Sequence, residues 1–129
     1  MKYFYLLIFL ILVNVSCLPS EANKPSQAQN KAATYSPANN ELILDVRTQG
    51  EWNAGHVKSA THIPVNEVEK KIQHIKKLVN NNMNQPIKIY CAVGGRAGQA
   101  KEILEQHGFK NVTNAGGLKD MKKLNYPVE

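Results

Sequence analysis

The chain has 129 residues, which is enough for one domain, and two of them are cysteines. Lysine and arginine number 16 against 10 aspartate and glutamate residues, which gives a net charge of +6. We interpret this excess as a solvated, lysine-rich surface that attracts small anions. The basic residues form no motif interleaved with aromatic residues, so we expect no nucleic-acid partner.

The first 17 residues are typical of an export signal. Met1-Lys2 is a short positive start, and residues 3–13 are all apolar. This run is too short for a membrane-spanning helix of about 20 residues, but it fits a signal-peptide core. Residues 15–17 (Val-Ser-Cys) allow two interpretations. Either Cys17 is lipidated and tethers the protein to the membrane, or ordinary cleavage near Cys17 releases a soluble protein. Both interpretations predict export to the periplasm.

Residues 18–40 are rich in Ser, Asn, Gln, Ala and Pro and have no apolar period, which predicts a flexible linker. We expect residues 41–129 to form the folded domain. The predicted elements are strands at 42–44, 60–63, 87–90 and 111–114, and helices at 65–79, 98–107 and 118–124.

A further short helix is expected between the first two strands. Thr48 and Glu51 have the spacing of a capping box, in which each residue satisfies a backbone N–H of the other. We place Trp52 of this helix in the core. Strands that alternate with helices predict βαβ units and a parallel sheet in an α/β domain. Ligands bind such sheets at the carboxyl ends of the strands, and Cys91 follows the third strand there.

Cys91 is the one cysteine of the predicted domain, so it has no partner for a disulfide within that domain. A lone thiol in an exported protein is typical of a reactive residue rather than a structural one. The loop after it consists of small residues and one arginine: Ala92, Val93, Gly94, Gly95, Arg96 and Ala97. Their backbone N–H groups and the positive end of a helix starting near Ala97 should lower the thiol pKa from about 8.5 to roughly 3.5–7.5. Arg96 should attract an anionic substrate and stabilise an anionic leaving group.

Three groups of motifs, in order along the chain, resemble those of the rhodanese (sulfurtransferase) domain. They are Asp45-Val46-Arg47 with Glu51-Trp52, Gly55-His56-Val57 and His62-Ile63-Pro64; Cys91-x-x-Gly94-x-Arg96; and Asn114-Ala115-Gly116-Gly117-Leu118. The resemblance covers residues 42–124 and is closest to single-domain periplasmic rhodaneses of the phage-shock type. It implies a three-layer α/β/α domain with a small central parallel sheet.

The same resemblance implies a thiosulfate sulfurtransferase. The Cys91 thiolate would take the sulfane sulfur of thiosulfate, release sulfite and pass the sulfur to cyanide or a thiol. Arg96 and the backbone of the loop would bind the substrate. No cofactor is implied, and we expect a monomer.

Three charged residues near the first strand are assigned a structural role. Asp45, Arg47 and Glu51 are expected to form an ion-pair lattice under the loop, because buried charges are normally paired. The four histidines have no cysteine or carboxylate neighbours at metal-ligand spacing, so we expect no metal site.

Three other functions compete with sulfur transfer as explanations of the Cys91 loop. A Cys-dependent phosphatase also uses a thiolate in an anion-binding loop, but only four residues separate Cys91 from Arg96 here, and this shorter loop favours sulfur over a phosphoryl group. A non-catalytic rhodanese-like binding or redox-sensing module is disfavoured because both Cys91 and Arg96 are present. A thioredoxin-like oxidoreductase is excluded by the lack of a Cys-x-x-Cys motif.

Overall fold

The computed structural model describes residues 40–129 of the chain. The predictions of a signal peptide at 1–17 and of a linker up to residue 39 lie outside the described residues. In chain order the elements are β1 (Leu42–Asp45), α1 (Gln49–Asn53), β2 (Ala60–His62), α2 (Val65–Val68), a 3₁₀ turn (Glu69–Lys71), α3 (Ile72–Leu78), β3 (Ile87–Cys91), α4 (Gly95–Gln106), β4 (Val112–Gly117) and α5 (Leu118–Lys123). Within this part of the chain, no helix has the length and apolar character needed to cross a membrane.

The four strands form one parallel sheet in the order β2-β1-β3-β4. Leu44 of β1 lies opposite Ile89 of β3 at the centre of the sheet. Both strands are mainly apolar because a central parallel strand is covered on both faces. The chain moves from β1 outward to β2 and then crosses back past β1 to β3, so the strand order reverses between β1 and β3. The crevice at the carboxyl ends of two such strands is the usual ligand site, and β3 ends there with Cys91.

Apolar side chains of successive strand residues lie on opposite faces of the sheet, and each face has its own cluster. One cluster joins Leu44 and Ile89 to buried residues of α2, α3 and α4. The other joins Ile43 and Tyr90 to Met121 of α5. The sheet is therefore the middle of three layers, and the predicted α/β/α fold is confirmed.

The helix predicted over residues 65–79 is divided, because a 3₁₀ turn separates α2 from α3. This turn contains neither Gly nor Pro, so nothing in its sequence marks the tightening. The two helices nevertheless bury one continuous face, because their buried residues recur at three- and four-residue spacings. The buried residues of this face are Val68, Ile72, Ile75 and Val79.

The start of α4 and the end of β4, both near the Cys91 loop, differ from the prediction. α4 begins at Gly95 rather than Gly98, because Gly94 adopts a left-handed conformation (φ 98°) and directs the chain straight into the helix. Arg96 therefore lies in the first helical turn. β4 continues to Gly117, three residues beyond the predicted end at 114.

The prediction that Trp52 belongs to the core is wrong. Its side chain is half-buried and stacks with the rings of His56 and His62, at centroid distances of 3.4 and 4.8 Å. The five-residue helix α1 has no fully buried residue. Trp52 therefore covers two imidazole rings at the border of the core instead of entering it.

Candidate active site

Cys91 is the last residue of β3, and only 1% of its surface is exposed. Its Sγ accepts a hydrogen bond from the backbone N–H of Gly94, with an N–S distance of 3.0 Å. Gly94 is the N-cap residue of α4 and has no side chain with which to cap the helix. The sulfur also accepts from the N–H groups of Arg96 and Ala97, the second and third residues of α4, and so takes the place that a Ser or Asp oxygen holds at many helix starts.

This environment favours the thiolate. Burial of Cys91 opposes ionisation, but four backbone N–H donors together outweigh it, and the pKa of Cys91 is lowered from its ordinary value. The donors belong to Ala97, Val93, Gly94 and Arg96. The positive end of α4 acts in the same direction. The thiolate is the nucleophilic form of cysteine, so this environment suits a nucleophilic role for Cys91.

The loop directs its backbone toward the sulfur and leaves several of its side chains exposed. The side chain of Ala92 is exposed, the backbone of Gly95 is also exposed, and 89% of the Val93 surface is open to solvent. Ala97 is the exception, since it is fully buried in the core cluster beside Cys91. The residues predicted to bind substrate thus surround the sulfur as one continuous turn, with Val93 at its outer surface.

β4 supports the loop through Gly117 and Asn114. A Cβ atom on Gly117 would lie 2.1 Å from the carbonyl oxygen of Ala92, so only glycine permits this approach. The Nδ2 group of Asn114 donates to the carbonyl of Gly94 at 2.9 Å. The sequence predicts no role for these residues beyond membership of a motif. The pair of adjacent glycines was the signal that could have indicated a close backbone contact.

Arg96 is held by Glu51. The guanidinium and the carboxylate form two hydrogen bonds, Nη1 to Oε2 and Nη2 to Oε1, each of 2.7 Å. These bonds lower the pKa of Glu51 to about 2, against the opposing effect of partial burial. Thr48 completes the capping box of α1 with Glu51, as predicted, and so holds the carboxylate in place. Glu51 raises the pKa of Arg96, and the nearby Cys91 sulfur contributes in the same direction.

Asp45 and Arg47 form a second pair at the carboxyl end of β1. The distance from Nη2 of Arg47 to Oδ2 of Asp45 is 2.6 Å, and both side chains are almost fully buried. Nη2 of Arg47 also donates to the carbonyl of Gly55 at 2.8 Å, and its guanidinium lies over the ring of Tyr90. Instead of one lattice of Asp45, Arg47 and Glu51, the structure contains one buried pair and the separate pair of Glu51 with Arg96.

Three of the four histidines have aromatic or carboxylate partners. His56 and His62 stack with Trp52, and His107 contacts Glu69 with an N–O distance of 2.7 Å. In residues 40–129, no group of three or more His, Cys, Asp and Glu side chains is arranged to hold a metal ion. That the protein has no metal site remains a prediction from the sequence.

Residues 24–124 match the family described as Rhodanese-like domain. The chain belongs to the rhodanese family. One rhodanese relative, the thiosulfate sulfurtransferase PspE of Escherichia coli (strain K12), is 41% identical over 78 residues, which are 60% of this chain and 71% of PspE. A solved structure described as rhodanese with anions from E. coli is 39% identical and has a TM-score of 0.60. The match covers 69% of this chain and 96% of that one.

A second kind of rhodanese relative is a tRNA uridine(34) hydroxylase of Buchnera aphidicola subsp. Baizongia pistaciae (strain Bp). It is 33% identical over 78 residues, which are 60% of this chain but only 25% of the hydroxylase. The rhodanese domain is therefore also a part of longer proteins that are named for another reaction. The comparisons establish the family and the fold, and they confirm the resemblance found in the sequence.

Proposed function

We propose that this rhodanese is a thiosulfate:acceptor sulfurtransferase that carries sulfur as a persulfide on Cys91. The observation that supports the proposal most strongly is the ring of backbone N–H groups around the Cys91 sulfur. These donors fit an anionic sulfur, whether thiolate or persulfide.

In the first step the Cys91 thiolate attacks the outer sulfur of thiosulfate. A bond forms between Sγ and that sulfur, the S–S bond of thiosulfate breaks, and sulfite leaves with its electron pair. The Cys91 persulfide keeps one negative charge, and sulfite takes two, so charge is conserved. Arg96 lies beside the sulfur and is positioned by Glu51 to stabilise the departing sulfite.

In the second step an external nucleophile removes the sulfur. Cys91 is the one free cysteine among residues 40–129, so this part of the chain offers no second thiol to resolve the persulfide. Cyanide would attack the outer sulfur, leave as thiocyanate and return Cys91 to the thiolate; a thiol would leave as a persulfide. Asp45 and Arg47 lie beneath the crevice as a paired, buried support and take no part in the transfer.

We also propose that the protein acts outside the cytoplasm, either free in the periplasm or tethered through a lipidated Cys17. The support is the sequence of residues 1–17, with its short apolar run and its cysteine. Cell fractionation tests this directly. Recovery of the full-length, uncleaved chain from the cytoplasm would contradict it.

The activity is tested with the purified protein and its Cys91→Ser variant. Thiocyanate formation from thiosulfate and cyanide is expected for the wild type and not for the variant, whose circular dichroism spectrum should be unchanged. Hydrolysis of p-nitrophenyl phosphate without any thiocyanate formation would overturn the proposal in favour of a phosphatase. Sulfur transfer by the Cys91→Ser variant would contradict the persulfide mechanism.

A further inference from the structure

We propose that Asn114 is a positioning residue for the Cys91 loop, because its side-chain amide fixes the orientation of Gly94, the residue whose N–H donates to the Cys91 sulfur. This inference deepens the proposed function, since it assigns the loop a support from β4 that acts through the backbone.

Asn114 reaches the loop because of an irregularity between β3 and β4. Ile89 lies opposite Asn114, whereas Cys91 lies opposite Gly117, so β4 contains one extra residue between these two pairs. At this bulge both ends of the Asn114 amide are used. Nδ2 donates to the carbonyl of Gly94, and Oδ1 accepts from the N–H of Gly116, each at 2.9 Å. The side-chain amide of Asn114 therefore has one preferred orientation, in which its NH₂ group faces the Cys91 loop.

Gly94 is the residue through which Asn114 acts. Its N–H donates to Sγ of Cys91 at 3.0 Å, and its carbonyl accepts from both Gly98 N–H at 2.8 Å and Asn114. Glycine has more conformational freedom than any other residue, and Gly94 is in the left-handed region that this freedom permits. A tether on its carbonyl limits rotation of the adjacent peptide groups and so keeps the N–H directed at the sulfur.

The role assigned to Asn114 is local rather than a contribution to the core. Its side chain is exposed, so shortening it opens no internal cavity. Its amide atoms lie 3.6 and 3.8 Å from the position that a Cβ on Gly94 would take. We therefore expect a substitution to change the thiolate of Cys91 more than the stability of the fold.

The experiment measures the rate of Cys91 alkylation by iodoacetamide as a function of pH, in the full protein and in two variants. Asn114→Ala removes the tether. Asn114→Asp keeps the shape of the side chain but places a carboxylate where the donor was. In both variants the midpoint of the pH profile should move upward by up to about one pH unit, and the rate near neutral pH should fall roughly two- to tenfold, as expected for one lost hydrogen bond. The shift should be larger for Asn114→Asp at low salt, and the difference between the variants should shrink at high salt.

A matched control is available at the other end of the same strand. Asn111 precedes β4, and its Nδ2 also donates to a backbone carbonyl, that of Asn84 at 3.4 Å. Asn111→Ala removes the same kind of bond far from the sulfur along the strand and should leave the alkylation profile unchanged. An unchanged midpoint in both Asn114 variants, or an equal shift in Asn111→Ala, would overturn the assignment.

Alkylation requires no sulfur donor, so this test is separate from that of the proposed function. A wild-type protein that transfers no sulfur would contradict the sulfurtransferase proposal, whereas the alkylation profiles would still decide the role of Asn114.

Discussion

Gly117→Ala tests whether the backbone contact between β4 and the loop controls the site. The added Cβ would lie 2.1 Å from the oxygen and 2.8 Å from the carbon of the Ala92 carbonyl. Both are backbone atoms of the Cys91 loop, so no flexible side chain can move away to relieve the clash. The backbone of Gly117 itself (φ −109°) suits any residue, which leaves the clash as the main effect of the substitution.

The size of the effect follows from the geometry. The loop and β4 must separate by roughly 1 Å before the contact becomes an ordinary one, and overpacking of this kind costs about 1–3 kcal/mol of stability. A displacement of about 1 Å at a reacting group costs on the order of 100-fold in rate. We therefore expect kcat/KM for thiosulfate:cyanide transfer to fall by about that factor while the domain still folds.

The assay compares thiocyanate formation and urea unfolding in Gly117→Ala and in Gly50→Ala. A Cβ on Gly50 would have no atom within 4 Å, so this second glycine-to-alanine change should leave activity unchanged. Because Gly50 lies in helix α1, the control should also be slightly more stable, by about 0.5–1 kcal/mol. Activity of Gly117→Ala within a factor of two of the wild type would refute the reasoning that this contact positions the loop.

Three further substitutions test the charged residues. The ion pair of Glu51 stabilises the wild type above about pH 4.5, and this contribution is lost as the pH falls toward 2, so Glu51→Gln should lack it. Because the pair is partly exposed, we expect the free energies of unfolding of the two proteins, measured in urea, to differ by at most about 1 kcal/mol. Asp45→Asn should lower the free energy of unfolding by about 3 kcal/mol, because it leaves the buried Arg47 without its carboxylate, and thermal unfolding will measure this. Arg96→Ala should raise KM for thiosulfate. If the rate depends on thiosulfate concentration as in the wild type, Arg96 does not bind the substrate.

The fold and the position of Cys91 could be predicted because their signals are local in sequence. Continuous apolar runs such as Ile87–Cys91 indicate central strands, and their alternation with helices indicates a parallel sheet. The position of Cys91 at the end of such a run, followed by small residues, placed a thiol at the carboxyl edge of the sheet. The capping box of Thr48 and Glu51 was likewise within four consecutive residues.

The remaining features of the site depend on contacts between distant segments. The pairing of Glu51 with Arg96 joins residues 45 positions apart, and Asn114 reaches Gly94 from a different strand. Neither contact leaves a period or a spacing in the sequence. The early start of α4 also escaped prediction, because the sulfur of Cys91, rather than a capping side chain, accepts from the N–H groups of Arg96 and Ala97 in its first turn.

The most direct test of the central claim is intact mass spectrometry of the protein after incubation with thiosulfate and removal of the excess. The account predicts that the wild type gains the mass of one sulfur atom, that peptide analysis places it on Cys91, and that cyanide removes it with formation of thiocyanate. Cys91→Ser should gain nothing. A wild-type protein that gains no sulfur, or gains it at another residue, would contradict the account.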